Sequence, residues 1–118
     1  MRREKQEWMG TLPRLGGVRY LWVESKVTQE FFDSVCSMRG LEGLSLHWNQ
    51  ARDLRRLVQM EHLRHLHLGI SSAVVSIEPL QRMKMLITFS ISNLRKVRDL
   101  TPLGELKQLE ELRVDGGM

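Results

Sequence analysis

The sequence has few of the residues that mark specialised classes of protein. Its 118 residues include one cysteine, Cys36, three prolines and only 6% aromatic residues. A single cysteine cannot form an internal disulfide, which excludes a disulfide scaffold and favours a reducing, cytoplasmic location. No run of about 18 apolar residues is present, so a membrane-spanning helix is not expected. The basic N-terminus is not followed by the apolar segment of a secretory signal.

Charge shows no strong excess of either sign. The net charge is +4, and the 42% apolar and 27% charged fractions fit an ordinary soluble domain. Two short basic clusters consist of Arg52, Arg55 and Arg56, and of Arg95, Lys96 and Arg98. Because Asp53 and Asp99 dilute them, binding of nucleic acid or another polyanion is an alternative rather than the favoured function. No nucleophile motif, phosphate loop or pair of acids indicates catalysis, so we expect no enzyme, no catalytic residue and no cofactor.

Leucine is the residue the sequence has in abundance, with 19 copies. Five blocks have the pattern Leu-x-x-Leu-x-Leu or a close apolar variant. Their first residues, here called anchors, are Val18, Leu41, Leu63, Leu86 and Leu109, spaced 23, 22, 23 and 23 apart. Apolar residues also stand nine, six and three positions before every anchor. Each repeat therefore has six apolar positions, here called slots, and all 30 are filled by apolar residues, with 18 of the 19 leucines among them.

The spacing of the slots predicts local structure. The last part of each block alternates with period two, which indicates a short strand with one buried face. Upstream slots recur every third residue, as in a 3₁₀ turn or short helix. Asp53 and Asp99 precede such segments and are expected to initiate turns. The stretch from Thr28 to Met38 predicts the best α-helix, with Thr28 at its start.

These blocks resemble leucine-rich repeats, and their length is similar to that of the short bacterial class of internalin-like and phosphatase-regulator-like proteins. Asn49 stands where that family places an asparagine, eight residues after its anchor. The other repeats depart from the pattern there, although Asn93 lies one place early. The resemblance implies an α/β solenoid with parallel strands on its concave face and short helices or 3₁₀ turns on its convex side. It also implies a protein that binds other proteins, since few family members are enzymes.

The repeats divide the chain into two parts. Residues 1–8 are polar and form a predicted N-terminal cap or tail, in which a short helix would fold Trp8 over Met9 and Leu12. Residues 9–118 form the leucine-rich repeat domain. Solenoids need covered ends because a terminal strand otherwise exposes its edge. We therefore expect the edge at Leu109–Val114 to be open, and three explanations for it stay open. The chain is a fragment of a longer protein, the edge pairs with another chain by self-association, or a frayed edge with Met118 is sufficient; a fragment or self-association is favoured.

Alternation along the strands predicts which side chains face the concave surface. Three rows are expected, two, four and six residues after the anchors. The first comprises Tyr20, Gly43, His65, Thr88 and Glu111; the second Trp22, Ser45, His67, Ser90 and Arg113; the third Glu24, His47, Gly69, Ser92 and Asp115. The predicted partner-binding residues are Tyr20, Trp22, His47, Trp48, His65 and His67, because rigid aromatics outside a core are typical binding anchors.

Two alternatives remain for these side chains. Trp22 could instead pack under the N-terminal segment, with the histidines merely solvated. His47, His65 and His67 could also approach a metal ion, with Glu24 as the nearest further ligand, but no residue obviously completes a four-ligand set. We therefore predict no metal site and favour a protein partner of unknown identity.

Overall fold

The computed structural model describes residues 2–116, with side chains from residue 6 onward. Met1, Gly117 and Met118, which belong to the predicted cap and to the last repeat, lie outside the described residues. The chain begins with helix α1 (Arg2–Thr11), and helix α2 (Gln29–Val35) follows the first strand. Four 3₁₀ helices lie within this part of the chain, at Leu12–Arg14, Arg55–Gln59, Glu78–Arg82 and Thr101–Glu105.

Residues 2–116 contain five strands, which form one parallel sheet in chain order. They are β1 (Tyr20–Val27), β2 (Gly43–Asn49), β3 (His65–Ile70), β4 (Thr88–Ser92) and β5 (Glu111–Val114). Each begins two residues after its anchor. Because successive strands are joined by helical segments of similar length, each repeat returns to the same register. The predicted solenoid is confirmed.

The slots form the core between the sheet and the helical layer. All 18 slots of the three middle repeats are buried. Within residues 2–116 the first and last repeats each have a neighbouring repeat on one side only, and several of their slots are half-buried. Leu15, Leu100, Leu112 and Val114 are exposed. All five repeats have the same six apolar slots, so the difference in burial does not come from their composition. It comes from the position of the repeat along the solenoid.

Local hydrogen bonds explain how each repeat turns. The Thr28 side chain accepts a bond from the Phe31 N–H at 3.2 Å and caps α2, as predicted, although the helix ends at Val35, before Met38. Asp53 Oδ1 and Asp99 Oδ1 accept from the N–H groups of Arg55 and Thr101, each at 2.9 Å. These bonds confirm that both aspartates initiate turns.

Helix α1 covers the first helical segment of the solenoid and crosses the predicted boundary between residues 8 and 9. The Trp8 ring lies 6.4 Å from that of Phe31 in α2, measured between centroids. The Ser34 hydroxyl donates to the Met9 carbonyl at 2.9 Å. Trp8 thus contacts α2 and remains 48% exposed.

Candidate functional site

The concave face of the sheet carries a shallow groove of about 510 Å³. The first two predicted rows line it, and neighbouring strands hold them in register. The first is Tyr20, Gly43, His65, Thr88 and Glu111, and the second is Trp22, Ser45, His67, Ser90 and Arg113. Their side chains share one face because each strand alternates about the buried slots. The groove therefore passes from an aromatic end on β1 to a charged end on β5.

An exposed aromatic pair forms the β1 end of the groove. The rings of Tyr20 and Trp22 stack with centroids 6.5 Å apart and planes inclined by 27°. Tyr20 is 50% exposed and Trp22 65%. A Cβ atom on Gly43 would stand 2.7 Å from the Tyr20 ring, so the glycine on β2 is what allows that ring to lie across the neighbouring strand. Trp22 is therefore presented to solvent, in contrast to the alternative that it packs beneath the N-terminal segment.

Two histidines on β3 form the middle of the groove. His65 Nδ1 lies 3.0 Å from the Thr88 hydroxyl on β4, and which of the two donates depends on the histidine tautomer. His67 is half-buried and is flanked by Ser45 and Ser90. Small hydroxyl side chains on either side leave the imidazole rings accessible. The middle of the groove thus offers rings and hydroxyls that can donate or accept hydrogen bonds.

His47 and Trp48 lie further along β2 and do not line the groove. The pairing of β1 with β2 shifts between Val23 and Lys26, so Trp48 pairs with Lys26 on one side and with Ile70 on the other. The Lys26 ammonium lies 4.9 Å from the centroid of the Trp48 ring. Trp48 and Ile70 are each 40% exposed. The structure therefore brings four of the six predicted site residues together and leaves two on an adjoining surface.

The third predicted row does not line the groove. Gly69 is buried, and a Cβ atom there would come 1.8 Å from the His47 carbonyl oxygen. The two strands approach too closely at this point for an outward side chain. The slot pattern does not predict this, because it ends at Leu68, one residue before Gly69, and does not indicate how closely β2 and β3 approach beyond that point.

The histidines form no metal centre in the described part of the chain. No group of three or more His, Cys, Asp or Glu side chains there is arranged to hold a metal ion. Cys36 is buried, and burial, with a smaller contribution from Asp33, raises the pKa of its thiol far above the usual range. A protonated, inaccessible thiol is a poor nucleophile.

The first basic cluster is partly neutralised. Arg55 Nη2 lies 2.7 Å from Asp53 Oδ2, and bonding to the guanidinium holds the pKa of Asp53 below its usual value. Asp33 lines the same depression as Arg52 and Arg56. In the second cluster Asp99 lies beside Arg98, and hydrogen bonds from Thr101 lower the pKa of Asp99. A polyanion would meet carboxylates at both places.

Neither of the two α-helices nor any 3₁₀ helix in residues 2–116 has the length and apolar character that a membrane-spanning helix needs.

The comparisons with known proteins bear on the fold. No protein-family model and no curated protein sequence matches the chain. Among solved structures, it is similar to internalin C2 from Listeria monocytogenes, with a TM-score of 0.75 and 23% identity. The match covers 87% of this chain and 44% of that one, so the chain spans less than half the length of its structural relative. The predicted leucine-rich repeat fold is confirmed.

Proposed function

We propose that this leucine-rich repeat chain is a non-catalytic module that binds a protein partner through its concave groove. The observation that carries the proposal is the exposed Tyr20–Trp22 stack, placed beside His65 and His67 in one groove. Large aromatics cost little entropy on binding and bury much area, so they dominate interface energies. Their exposure in an otherwise buried repeat pattern supports a role outside the core.

The partner is expected to cross the strands rather than run along them. Five strands at a spacing of about 4.8 Å place the β1 and β5 ends of the groove about 19 Å apart. A segment lying across the sheet would meet the aromatic pair, then the histidines and hydroxyls, and then Glu111 and Arg113. His47 and Trp48 would contribute only if the partner also extends along β2. The buried lone thiol of Cys36 suits a cytoplasmic site of action.

Site-specific photo-crosslinking tests this use of the groove. A photoreactive residue at Ser90, in the groove, is expected to capture one partner from the native source. The same residue at Glu61, an exposed position outside the groove, is the matched control. Equal capture at both positions would contradict a groove-specific interaction.

Affinity for the captured partner then tests the aromatic pair. Trp22→Ala is expected to weaken binding about 30-fold, as for a central interface residue. Met85→Ala removes another exposed apolar side chain outside the groove and should leave affinity unchanged. If Arg56→Ala abolishes binding while Trp22→Ala does not, the basic cluster rather than the groove is the binding surface.

A second part of the proposal is self-association through the edge at Leu109–Val114. It is supported by the exposed apolar side chains of Leu112 and Val114 on β5, which within residues 2–116 pairs with β4 alone. This surface is separate from the aromatic end of the groove, so the two interactions can occur together.

A further inference from the structure

Strand β5 carries both an unpaired edge and exposed apolar side chains. Within residues 2–116 it pairs only with β4. Leu112 is 48% exposed and Val114 38%. A strand edge of this kind is a template for pairing with another strand. The question is which strand fits it.

The backbone of β5 has a defined orientation at this edge. The N–H groups of Glu111 and Asp115 point towards β4, where they donate to the carbonyl oxygens of Ile87 and Ile91 respectively. Because successive residues of a strand direct their hydrogen-bonding groups to opposite sides, Leu112 and Val114 direct theirs to the open edge. Leu112 lies near the middle of the strand and can therefore be the centre of a new ladder.

We infer that β5 of a second copy of this chain pairs antiparallel with β5, with the twofold axis passing between the two Leu112 residues. Each Leu112 then exchanges both backbone hydrogen bonds with its counterpart. Glu111 of one copy faces Arg113 of the other, and the symmetry repeats this pair. Such directly opposite, non-hydrogen-bonded residues have Cα atoms about 4.5 Å apart, and opposite charges there are stabilising. This inference rests on the proposed self-association and specifies its register.

Charge distinguishes this register from the others available. Centring the pair on Arg113 would place two arginines opposite each other, which is unfavourable. Centring it on Val114 would use residues beyond the end of β5. Parallel addition of β1 of a second copy would leave Glu111 beside Tyr20 with no opposite charge, and it would continue into a chain rather than close. Only the Leu112-centred pair matches both charges and lies within the strand.

The dimer would form one continuous sheet of ten strands. Because the twofold axis of an antiparallel pair is perpendicular to the sheet, both grooves would open on the same side. The Tyr20–Trp22 pairs would lie at the two far ends, away from the junction. A partner bound at either aromatic end would therefore not need to displace the second copy.

Charge reversal of the full chain tests the register by sedimentation equilibrium. The single variants Glu111→Arg and Arg113→Glu should each weaken dimerisation about ten-fold or more, because two like-charged pairs replace two attractive ones. The double variant carrying both changes restores opposite charges and should restore the dimer. Glu110→Arg makes the same charge change at an exposed neighbour that faces no charge in this register, and it is the matched control.

Each outcome decides a different part of the inference. A dimer with this pattern of loss and restoration supports the register. A dimer insensitive to both single reversals overturns the register but not self-association. Growth beyond the dimer with rising concentration overturns the closed pair in favour of head-to-tail addition. A monomer at every concentration overturns self-association, while partner binding through Trp22 would be unaffected. Far-UV circular dichroism establishes that each variant remains folded.

Discussion

Gln29 holds together two successive repeats of the solenoid. Its side-chain oxygen accepts hydrogen bonds from the N–H groups of Arg52 and Asp53, each at 3.0 Å. Its amide nitrogen donates to the Asp53 carbonyl at 2.9 Å and to Asp33 Oδ1 at 3.0 Å. One half-buried side chain in α2 therefore provides hydrogen-bond partners for three backbone groups of the loop that follows β2.

Gln29→Ala is expected to destabilise the protein by about 1–3 kcal/mol, since partly buried backbone groups lose their partners. Gln29→Glu should also destabilise, because a carboxylate cannot donate and would repel Asp33. Urea unfolding followed by tryptophan fluorescence measures both free energies of unfolding. Gln50→Ala, at an exposed glutamine, is the control. Equal free energies of unfolding for the Gln29 and Gln50 variants would show that the hydrogen bonds of Gln29 do not contribute to stability.

The sequence predicted some of these residues and not others. Tyr20, Trp22, His65 and His67 could be placed because alternation about buried slots is a local property. Gln29 could not, because its backbone partners belong to the next repeat and no periodicity marks an amide that bonds a distant loop. Trp48 is predicted with the site because it stands beside His47, yet it lies seven residues after its anchor, out of step with the two rows, and it does not line the groove.

A seventh apolar position of the repeat was also missed. Twelve residues before the last three anchors stand Ala51, Val74 and Val97, of which the first two are buried and the third is half-buried. The first repeats have no such residue, and Gln29 occupies the corresponding place before Leu41. A position filled in three repeats of five, by one small residue and two valines, is hard to recognise by counting alone.

Among the helical elements, three 3₁₀ helices share one way of starting. Asp53, Ser76 and Asp99 occupy equivalent places in successive repeats, and each side chain accepts the N–H two residues on. At Asp53 and Asp99 the acceptor is a carboxylate, and both folded-state pKa values are lowered, chiefly by hydrogen bonds from Arg55 and Thr101 respectively. The Ser76 hydroxyl accepts the equivalent hydrogen bond but does not titrate.

The lowered pKa values imply a loss of stability in acid. A carboxyl group whose pKa is lower in the folded state stabilises the protein at pH values above its unfolded pKa of about 4. This stabilisation is lost as the pH falls through the folded-state pKa. Asp53→Asn with Asp99→Asn keeps the turn-forming oxygens but removes both titrations. We expect this double variant to lose less unfolding free energy than the wild type between pH 7 and pH 2. Ser76→Asn, which changes no titrating group, should lose as much as the wild type. Identical slopes for all three proteins would contradict the assignment.

At the scale of the whole molecule, stability should follow position along the solenoid. Each repeat contacts only its neighbours, so opening can begin at an end and spread inward. All slots are buried in the middle three repeats, whereas the first and last have exposed ones. The same arrangement explains why the sequence, in which all five repeats have equally complete slots, could predict the fold but not which repeats are well covered.

Hydrogen exchange followed by mass spectrometry measures this gradient. We expect amides of β2, β3 and β4 to exchange most slowly, and those of β1 and β5 earlier. The measurement should be made at low protein concentration, because pairing of β5 with a second copy would protect that strand. Exchange at one common rate across all five strands would instead indicate that the molecule opens as a single cooperative unit.

The regular pairing of strands also makes this protein easy to lengthen. His65 pairs with Thr88, its equivalent in the next repeat, and irregular pairing begins only after the last slot of a strand, at Val23 and Leu68. Duplication of the segment from His65 to Ile87 within the gene would therefore insert one complete repeat whose neighbours keep the same relation. The duplicated segment would bring a second histidine pair into the groove. Duplication or deletion of such a segment during evolution can thus widen or narrow the binding surface by one strand at a time, with no change to the core residues of the other repeats.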